Sequence, residues 1–363
     1  LGQLVDVCGK ALRQLCKPMR LANAQVSIGA CAGARLLGED APDVDQALRD
    51  ADAALYFAKR NDMIETKLFD AEIRDKNKRL HAIETALLEE GALDQLSLAY
   101  QPIFNLRTGQ LSSFEALARW EHPVLGNISP GQFIPIAERI GCIRPITLAL
   151  LSRAVDFAAE WPASCRLSFN LSAAHICGGD AASEIVALIK QKNYPAERLQ
   201  LEITETAMLV DFATARRNVD MLREAGCRVA LDDFGAGFAS LVYLREIRFD
   251  KVKIDGSLIK RARHPQGRDM LRGVVKMIAA MKLESVAEFI ATSGDRETAR
   301  ELGAEFGQGY HLGYPLDEEG TRDLLAQYHW PHSTKVRSLA NWELDRQEAL
   351  APSARPLPLT REK

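Results

Sequence analysis

The chain has 363 residues, 47% of them hydrophobic, enough for two or three domains of about 100–200 residues each, which excludes a disordered or fibrous protein. Lysine and arginine total 46 against 49 aspartates and glutamates, a net charge of −3, so the chain carries no overall cationic footprint for DNA or an anionic membrane. No apolar run approaches the ~18 residues of a membrane span, and no signal peptide opens the chain. Seven scattered cysteines without a CxxC pair point to a reducing, cytoplasmic setting.

The chain starts at Leu1 rather than Met, inside an amphipathic helix carried by Leu4, Val5, Cys8, Leu12 and Leu15, so residues are expected upstream, where a sensor or membrane segment would lie. A short strand over Val26, Ser27, Ile28 and Gly29 and a helix ending Asp50 to Arg60 follow. This front segment, 1–62, holds too little apolar sequence for an independent core. Residues 63–92 are rich in Glu, Lys, Arg and Leu without Pro or interior Gly, and their opposite charges at helical spacing predict an exposed linker helix.

Over 93–330 the pattern changes to short β-rich runs alternating with helices: Leu98 to Phe104, Leu111 to Arg119, Leu167 to Leu171, Leu199 to Thr204, Arg228 to Asp233, Lys251 to Asp255, Leu283 to Glu288 and Ala304 to Gly309. One connecting helix shows its signals plainly, with Asp211 as N-cap, Phe212, Ala215, Val219 and Leu222 on one face, and Gly226 past its end. Eight strands in one α/β segment of this length predict a TIM-like (β/α)8 barrel with mostly parallel strands. The last segment, 331–363, contains Pro331, Pro352, Pro356 and Pro358 without periodicity and reads as a disordered tail.

The acidic and amide residues fall at the ends of these strands. Glu115 lies in the second run, Asn170 ends the third, and Glu202 and Glu205 close the fourth. Asp232 and Asp233 end the fifth, Asp255 follows Lys253 in the sixth, and Glu288 ends the seventh. In a barrel these ends meet at one face, where active sites of this architecture lie. Taken singly, each has a bland reading: an Asp-Asp pair as a turn or cap, a strand-end Glu as solvated, Lys253 as a surface charge. Taken together, the five crowded carboxylates Glu115, Glu202, Asp232, Asp233 and Glu288 resist ionisation unless a cation shares the site. All-oxygen ligands without clustered His or Cys select a hard divalent ion, Mg²⁺, Mn²⁺ or Ca²⁺. Adjacent Asp232 and Asp233 suit two ions about 3.5–4 Å apart, the arrangement of phosphodiester hydrolysis. Lys253 is then placed to orient or deprotonate the attacking water, since a lysine beside cations has a depressed pKa. The carboxylates alone leave open which phosphodiester is cleaved. His122, His175 and His311 show no metal-ligand spacing and read as packing or surface residues.

These residues lie in motifs that closely resemble the EAL family of cyclic di-GMP phosphodiesterases. The motifs are Tyr100-Gln-Pro-Ile103, Glu115-Ala-Leu-Ala-Arg119-Trp, Ser129-Pro-Gly-Gln-Phe-Ile134, Asn170-Leu-Ser, Glu202-Ile-Thr-Glu205, Asp232-Asp-Phe-Gly-Ala-Gly237, Lys253-Ile-Asp255, Ala287-Glu288 and Gln308-Gly-Tyr310. The resemblance implies a TIM-like barrel with one antiparallel strand and hydrolysis of cyclic di-GMP to linear pGpG. It implies Glu115, Asn170, Glu202, Asp232, Asp233 and Glu288 as ligands of two Mg²⁺ or Mn²⁺ ions, with inhibition by Ca²⁺. Lys253, Glu115 and Glu288 would carry catalysis. Gln101, Leu117, Arg119, Asp255 and Gln308 would line the substrate or support the site, and Glu205 would anchor the loop after Asp233. A homodimer through this domain is expected on the same ground, with no DNA or membrane contact.

Three departures from the family pattern stand out. Ala236 and Ala239 remove two hydroxyls from the loop after Asp233, and Ala291 stands where the family commonly has a second glutamate after the one matched by Glu288. The direct ligand set is complete, so activity is expected to survive; the alternative is a cyclic di-GMP receptor that binds without hydrolysis and signals through the linker helix. The front segment resembles the C-terminal part of the GGDEF diguanylate cyclase domain through Ser27-Ile-Gly29 and Ala51-Asp-Ala-Ala-Leu-Tyr56-Phe-Ala-Lys59. The signature loop of that domain is absent from these residues, so no cyclase activity is expected of them.

Overall fold

Glycine at position 33 sets the geometry of the first part of the molecule. A Cβ there would lie 2.1 Å from the Ala51 carbonyl oxygen and 2.2 Å from the Leu55 nitrogen, so only glycine lets this strand lie directly on the helix backbone. The computed structural model describes residues 2–21, 24–26, 28–37, 43–60, 66–205, 207–235 and 241–328. The chain divides into two units, Leu1–Leu88 and Glu89–Lys363.

In the first unit, β1 (Met19–Leu21) and β2 (Ala24–Val26) form an antiparallel hairpin after the helix Gly2–Leu15. Strand β3 (Ala32–Ala34) pairs in parallel with β4 (Thr66–Leu68), and the helix Val44–Arg60 lies between them in the chain. Two expectations change here. The strand sought at Val26–Gly29 ends at Val26, with Ile28 and Gly29 outside it and Ser27 outside the described residues. The linker helix expected over 63–92 is confined to Ala71–Leu88, because Thr66–Leu68 is taken up by pairing with β3. Asp70 caps this helix, accepting from Ile73 N at 2.7 Å. Its Asn77 Nδ2 donates to the Ala53 carbonyl at 2.8 Å, and Ile73 and Ile83 are buried, so the helix completes the core that residues 1–62 lack alone.

The second unit is a closed barrel. Its strands are β5 (Leu96–Asn105), β6 (Leu111–His122), β7 (Gly126–Ile128), β8 (Arg166–Leu171), β9 (Leu199–Thr204), β10 (Arg228–Phe234), β11 (Lys251–Ile254), β12 (Glu284–Ala287) and β13 (Phe306–Gly307). The order β5-β13-β12-β11-β10-β9-β8-β6 is closed by the β5–β6 pairing, and β7 is a short antiparallel addition on β6. Only β5 among the ring strands runs antiparallel to both neighbours. The cause is local: a turn too short for a parallel crossover joins β5 to β6, with the Asn105 side chain accepting from Arg107 N and Thr108 N and Gly109 at φ 70°. The cap expected at Asp211 is present, its side chain accepting from Thr214 N at 3.1 Å, and Gly226 follows the helix Phe212–Glu224 with φ 100°.

Residues two apart on a strand share a face, which divides the barrel interior into tiers. The tier beneath the strand ends holds Ser113, Ser168, Gln200, Ala230, Lys251, Val286, Phe306 and Ile103, all buried. Barrels of this type usually fill that space with Val, Ile and Leu. Here only Ile103, Val286 and Phe306 form the expected apolar cluster. Lys251 Nζ sits 4.5 Å from the Phe306 ring centre and 3.4 Å from Glu284, which also pairs with Arg228 at 2.8 Å. Burial pushes the Lys251 amine down to about 8, against the pull of Glu284. The disordered tail expected over 331–363 lies outside the described residues.

Candidate active site

The uppermost interior tier is built from the strand ends. Glu115 comes from β6, Asn170 from β8, Glu202 from β9, Asp232 and Asp233 from β10, and Lys253 from β11. Glu288 and Gln308 stand one residue beyond β12 and β13, and Gln101 comes from the antiparallel β5. The loops carrying Glu288 and Gln308 are clamped together: Gln308 N donates to Ala287 O at 2.9 Å, Ile290 N to Gln308 O at 3.0 Å and His311 N to Ile290 O at 3.0 Å.

Lys253 is the hub. Its Nζ lies 2.6 Å from Glu202 Oε2, 3.0 Å from Glu288 Oε1, and 3.2 Å from both Glu115 Oε2 and Asp232 Oδ2. Burial alone would lower this amine, but with no cation beside it Asp232, Glu115, Glu202 and Glu288 together hold it well above its usual range. Glu115 receives Asn170 Nδ2 at 2.5 Å on one oxygen and Gln308 Nε2 at 2.7 Å on the other. Burial works to raise the Glu115 carboxyl, yet Lys253, Gln308 and Asn170 bring it below the ordinary carboxylate range. Gln308 Nε2 also reaches Gln101 Oε1 at 3.0 Å, and Gln101 Nε2 donates to Gly313 O at 3.1 Å.

Glu202, Asp233 and Glu288 shift the other way. Burial, with Glu115 and Asp232 adding to it against Lys253, pushes Glu202 up to about 8. Desolvation and the neighbouring Asp232 push Asp233 up to about 6. Burial again leads for Glu288, whose carboxyl is held well above its usual value. Such crowding is relieved by a cation, and two groups of carboxylate oxygens lie within 4.8 Å of one another: Glu115, Glu202 and Asp232; and Asp232, Asp233 and Glu288. Asp232 belongs to both. These groups contain carboxylates only, which suits a hard divalent ion.

Asp233 joins this set through its backbone. It takes φ 57°, and the pairing of β10 with β11 shifts register between Leu231 and Phe234. In regular strand geometry, adjacent residues point to opposite faces; this irregularity brings both carboxylates into one group.

Other expected residues flank the set. Leu117 and Arg119 follow Glu115 at two-residue steps on β6, and both are half-buried. Burial lowers the Arg119 guanidinium, whose Nη1 donates to Ala118 O at 2.8 Å. Asp255 caps the helix Gly256–Arg261, accepting from Ser257 N at 2.9 Å. Glu205 is buried just after β9; Ala236 and Ala239, in the loop it is expected to anchor, lie outside the described residues. Ala291 is exposed, immediately before the capping box of Thr292 and Asp295. The sequence reading passed over Gln200 and Lys251; their signal was parity, two residues before Glu202 and Lys253 on the same strands.

The profile of one protein family, described as "EAL domain", matches residues 82–315. Among curated proteins, the uncharacterized protein y4lL of Sinorhizobium fredii is 33% identical over 332 residues, covering 89% of this chain and 38% of that protein. The cyclic di-GMP phosphodiesterase PA2567 of Pseudomonas aeruginosa is 28% identical over 88% of this chain and 55% of its own length. The chain thus spans about two fifths to somewhat over half of these relatives. Among solved structures, the PaMucR phosphodiesterase in complex with c-di-GMP superposes with a TM-score of 0.61 at 30% identity, over 67% of this chain and 99% of that one.

Proposed function

This chain belongs to the EAL domain family, and we propose that it hydrolyses one phosphodiester bond of cyclic di-GMP to give linear pGpG. The observation that carries this reading is the convergence of Glu115, Glu202, Asp232, Asp233 and Glu288 around Lys253, with Asn170 on Glu115. Glu115, Asn170, Glu202, Asp232, Asp233 and Glu288 would hold two divalent ions, directly or through water, and Asp232 belongs to both carboxylate groups. Mg²⁺ or Mn²⁺ is the working ion and Ca²⁺ inhibits. When bound, the ions supply Lewis-acid stabilisation of charge on the phosphoryl and departing oxygens.

The chain's own residues do the rest. Lys253 orients the nucleophilic water at the floor of the site. The Arg119 guanidinium forks onto a phosphate, Gln101, Leu117 and Gln308 line the dinucleotide, and Asp255 supports the strand end. Glu205 anchors the loop after Asp233. The protein acts as a homodimer through this unit, in the cytoplasm; among the described residues no helix is long and apolar enough to cross a membrane. Residues 1–62 are the C-terminal part of a GGDEF-like domain, a reading that rests on the motif Ala51–Lys59, which lies in the helix Val44–Arg60.

The test is single-turnover incubation with cyclic di-GMP in Mg²⁺ and separately in Mn²⁺, resolving substrate from pGpG, with Glu115→Ala as control. Product from the wild type and none from the variant is expected. Tight binding without product in either metal would instead identify a receptor, with the departures at Ala291 or at Ala236 and Ala239 as the cause.

A further inference from the structure

Glu202 has a donor of its own beneath it. Gln200, two residues earlier on β9 and 1% exposed, donates Nε2 to Glu202 Oε1 at 3.2 Å and to Ser168 Oγ of the neighbouring β8 at 2.7 Å. Glu202 Oε2 is held by Lys253 at 2.6 Å. Lys253 is shared among four carboxylates, whereas among the described residues Gln200 reaches no other acid.

We propose that Gln200 is a positioning residue for the metal site: braced by Ser168, it fixes the rotation of the Glu202 carboxylate so that Oε2 faces the shared acidic cluster. Three observations support it. The amide orientation is determined by chemistry, since a flipped Gln200 would set one acceptor oxygen against another. In the orientation present, Gln200 Oε1 is buried with no hydrogen-bond partner among the described residues, so the bonds seen for this amide run through Nε2, to Ser168 and Glu202. The position is also unusual for its tier, which in barrels of this type is apolar and would leave Glu202 Oε1 unheld.

The inference rests on the metal-dependent reading above, and its test separates the two. Mn²⁺ binding to the full chain is measured by calorimetry and by electron paramagnetic resonance for the wild type, Gln200→Met and Gln200→Asn. Methionine matches the length and fills the space without a donor; asparagine keeps the amide but cannot span from Glu202 to Ser168. Both are expected to weaken Mn²⁺ binding about tenfold, the effect of losing one outer partner of a ligand. The Mn²⁺ concentration for half-maximal turnover should rise in parallel, with KM for cyclic di-GMP unchanged and turnover recovered at saturating Mn²⁺. Wild-type binding of Mn²⁺ with unaltered affinity in the methionine variant overturns the role of Gln200 and leaves the functional reading standing. A wild type that binds no Mn²⁺ overturns the functional reading itself, and this role with it. Should the methionine variant fail to fold, judged by circular dichroism, the asparagine variant decides by the same affinity.

Discussion

Asp232 and Asp233 are neighbours in sequence and yet offer their carboxylates to the same cluster, because Asp233 sits at φ 57° where β10 breaks register against β11. A left-handed conformation is disfavoured for any residue with a Cβ, and here it also brings two like charges together. Asp233→Gly removes both costs. In EDTA the variant should be more stable than the wild type by about 1 kcal/mol, read from urea denaturation, while Mn²⁺ should stabilise it less than it does the wild type. Equal or lower stability in EDTA would show that the backbone at Asp233 is unstrained.

The shifted acids give the metal-free protein a particular pH dependence. Glu202 sits at about 8 and Asp233 at about 6, both above the ordinary ~4 of an unfolded chain. The folded state therefore holds these protons more tightly, and their contribution to stability is complete near pH 4 and lost as pH rises through about 6 and then about 8. Other groups titrate in this range, so the clean measurement is a difference. Glu202→Gln in EDTA should gain on the wild type steadily between pH 5 and pH 8, and saturating Mn²⁺ should cancel the wild type's decline. A difference independent of pH would mean that Glu202 is ionised throughout.

Lys253 offsets four acids from a position 1% exposed. Removing one partner from a buried charge network leaves the others uncompensated, at a cost of about 3–5 kcal/mol. Lys253→Met should lose stability on that scale at pH 8 in EDTA, and less at pH 5, where the acids can take up protons instead. Its turnover at saturating Mn²⁺ should fall by about 10² or more, the usual loss when a group that handles the reacting water is removed. Wild-type turnover in this variant would exclude Lys253 from the chemistry.

Gln308 links the two sides of the barrel closure, donating to Glu115 from the end of β13 and to Gln101 on β5. Gln308→Ala leaves every acid in place and takes away one donor that holds Glu115 below the usual carboxylate range. The expected result is a rise of about tenfold in the Mn²⁺ needed for half-maximal activity. An unchanged metal requirement would mean that Asn170 and Lys253 suffice to hold Glu115.

The barrel was legible because each strand announced itself by a short apolar run, and the second to seventh also by an acid or amide in or at the end of the run. Glu115, Asn170, Glu202, Asp232 and Lys253 all lie where that reading put them. What escaped it depends on the third dimension. Nothing in Asp232-Asp233 reveals a positive φ, and alternation tells which face Gln200 and Lys251 take without telling that the face is the barrel interior. Thr66–Leu68 escaped because its neighbours are helix formers and its partner β3 lies 34 residues before β4 in register, Ala34 opposite Leu68 and Ala32 opposite Thr66.

Lys251 isolates the cost of the polar tier. Its amine is 1% exposed, packs on Phe306, and has Glu284 as its close anionic partner, which Arg228 also engages. Burial brings its pKa down to about 8 from an ordinary value near 10.4, so below pH 8 the folded state carries this proton at a penalty of about 3 kcal/mol. In Lys251→Met, Glu284 keeps Arg228 and no buried charge is orphaned, the case in which replacing a buried ion by an apolar side chain is neutral or stabilising. The variant should be more stable than the wild type by about 1–3 kcal/mol at pH 7. The sign of the pH dependence follows from the depressed value: the gain is full below pH 8 and fades toward pH 10.4, where the unfolded lysine also loses its proton. Destabilisation at pH 7 would show that Glu284 depends on Lys251, and that the second polar tier holds the barrel together rather than loading it.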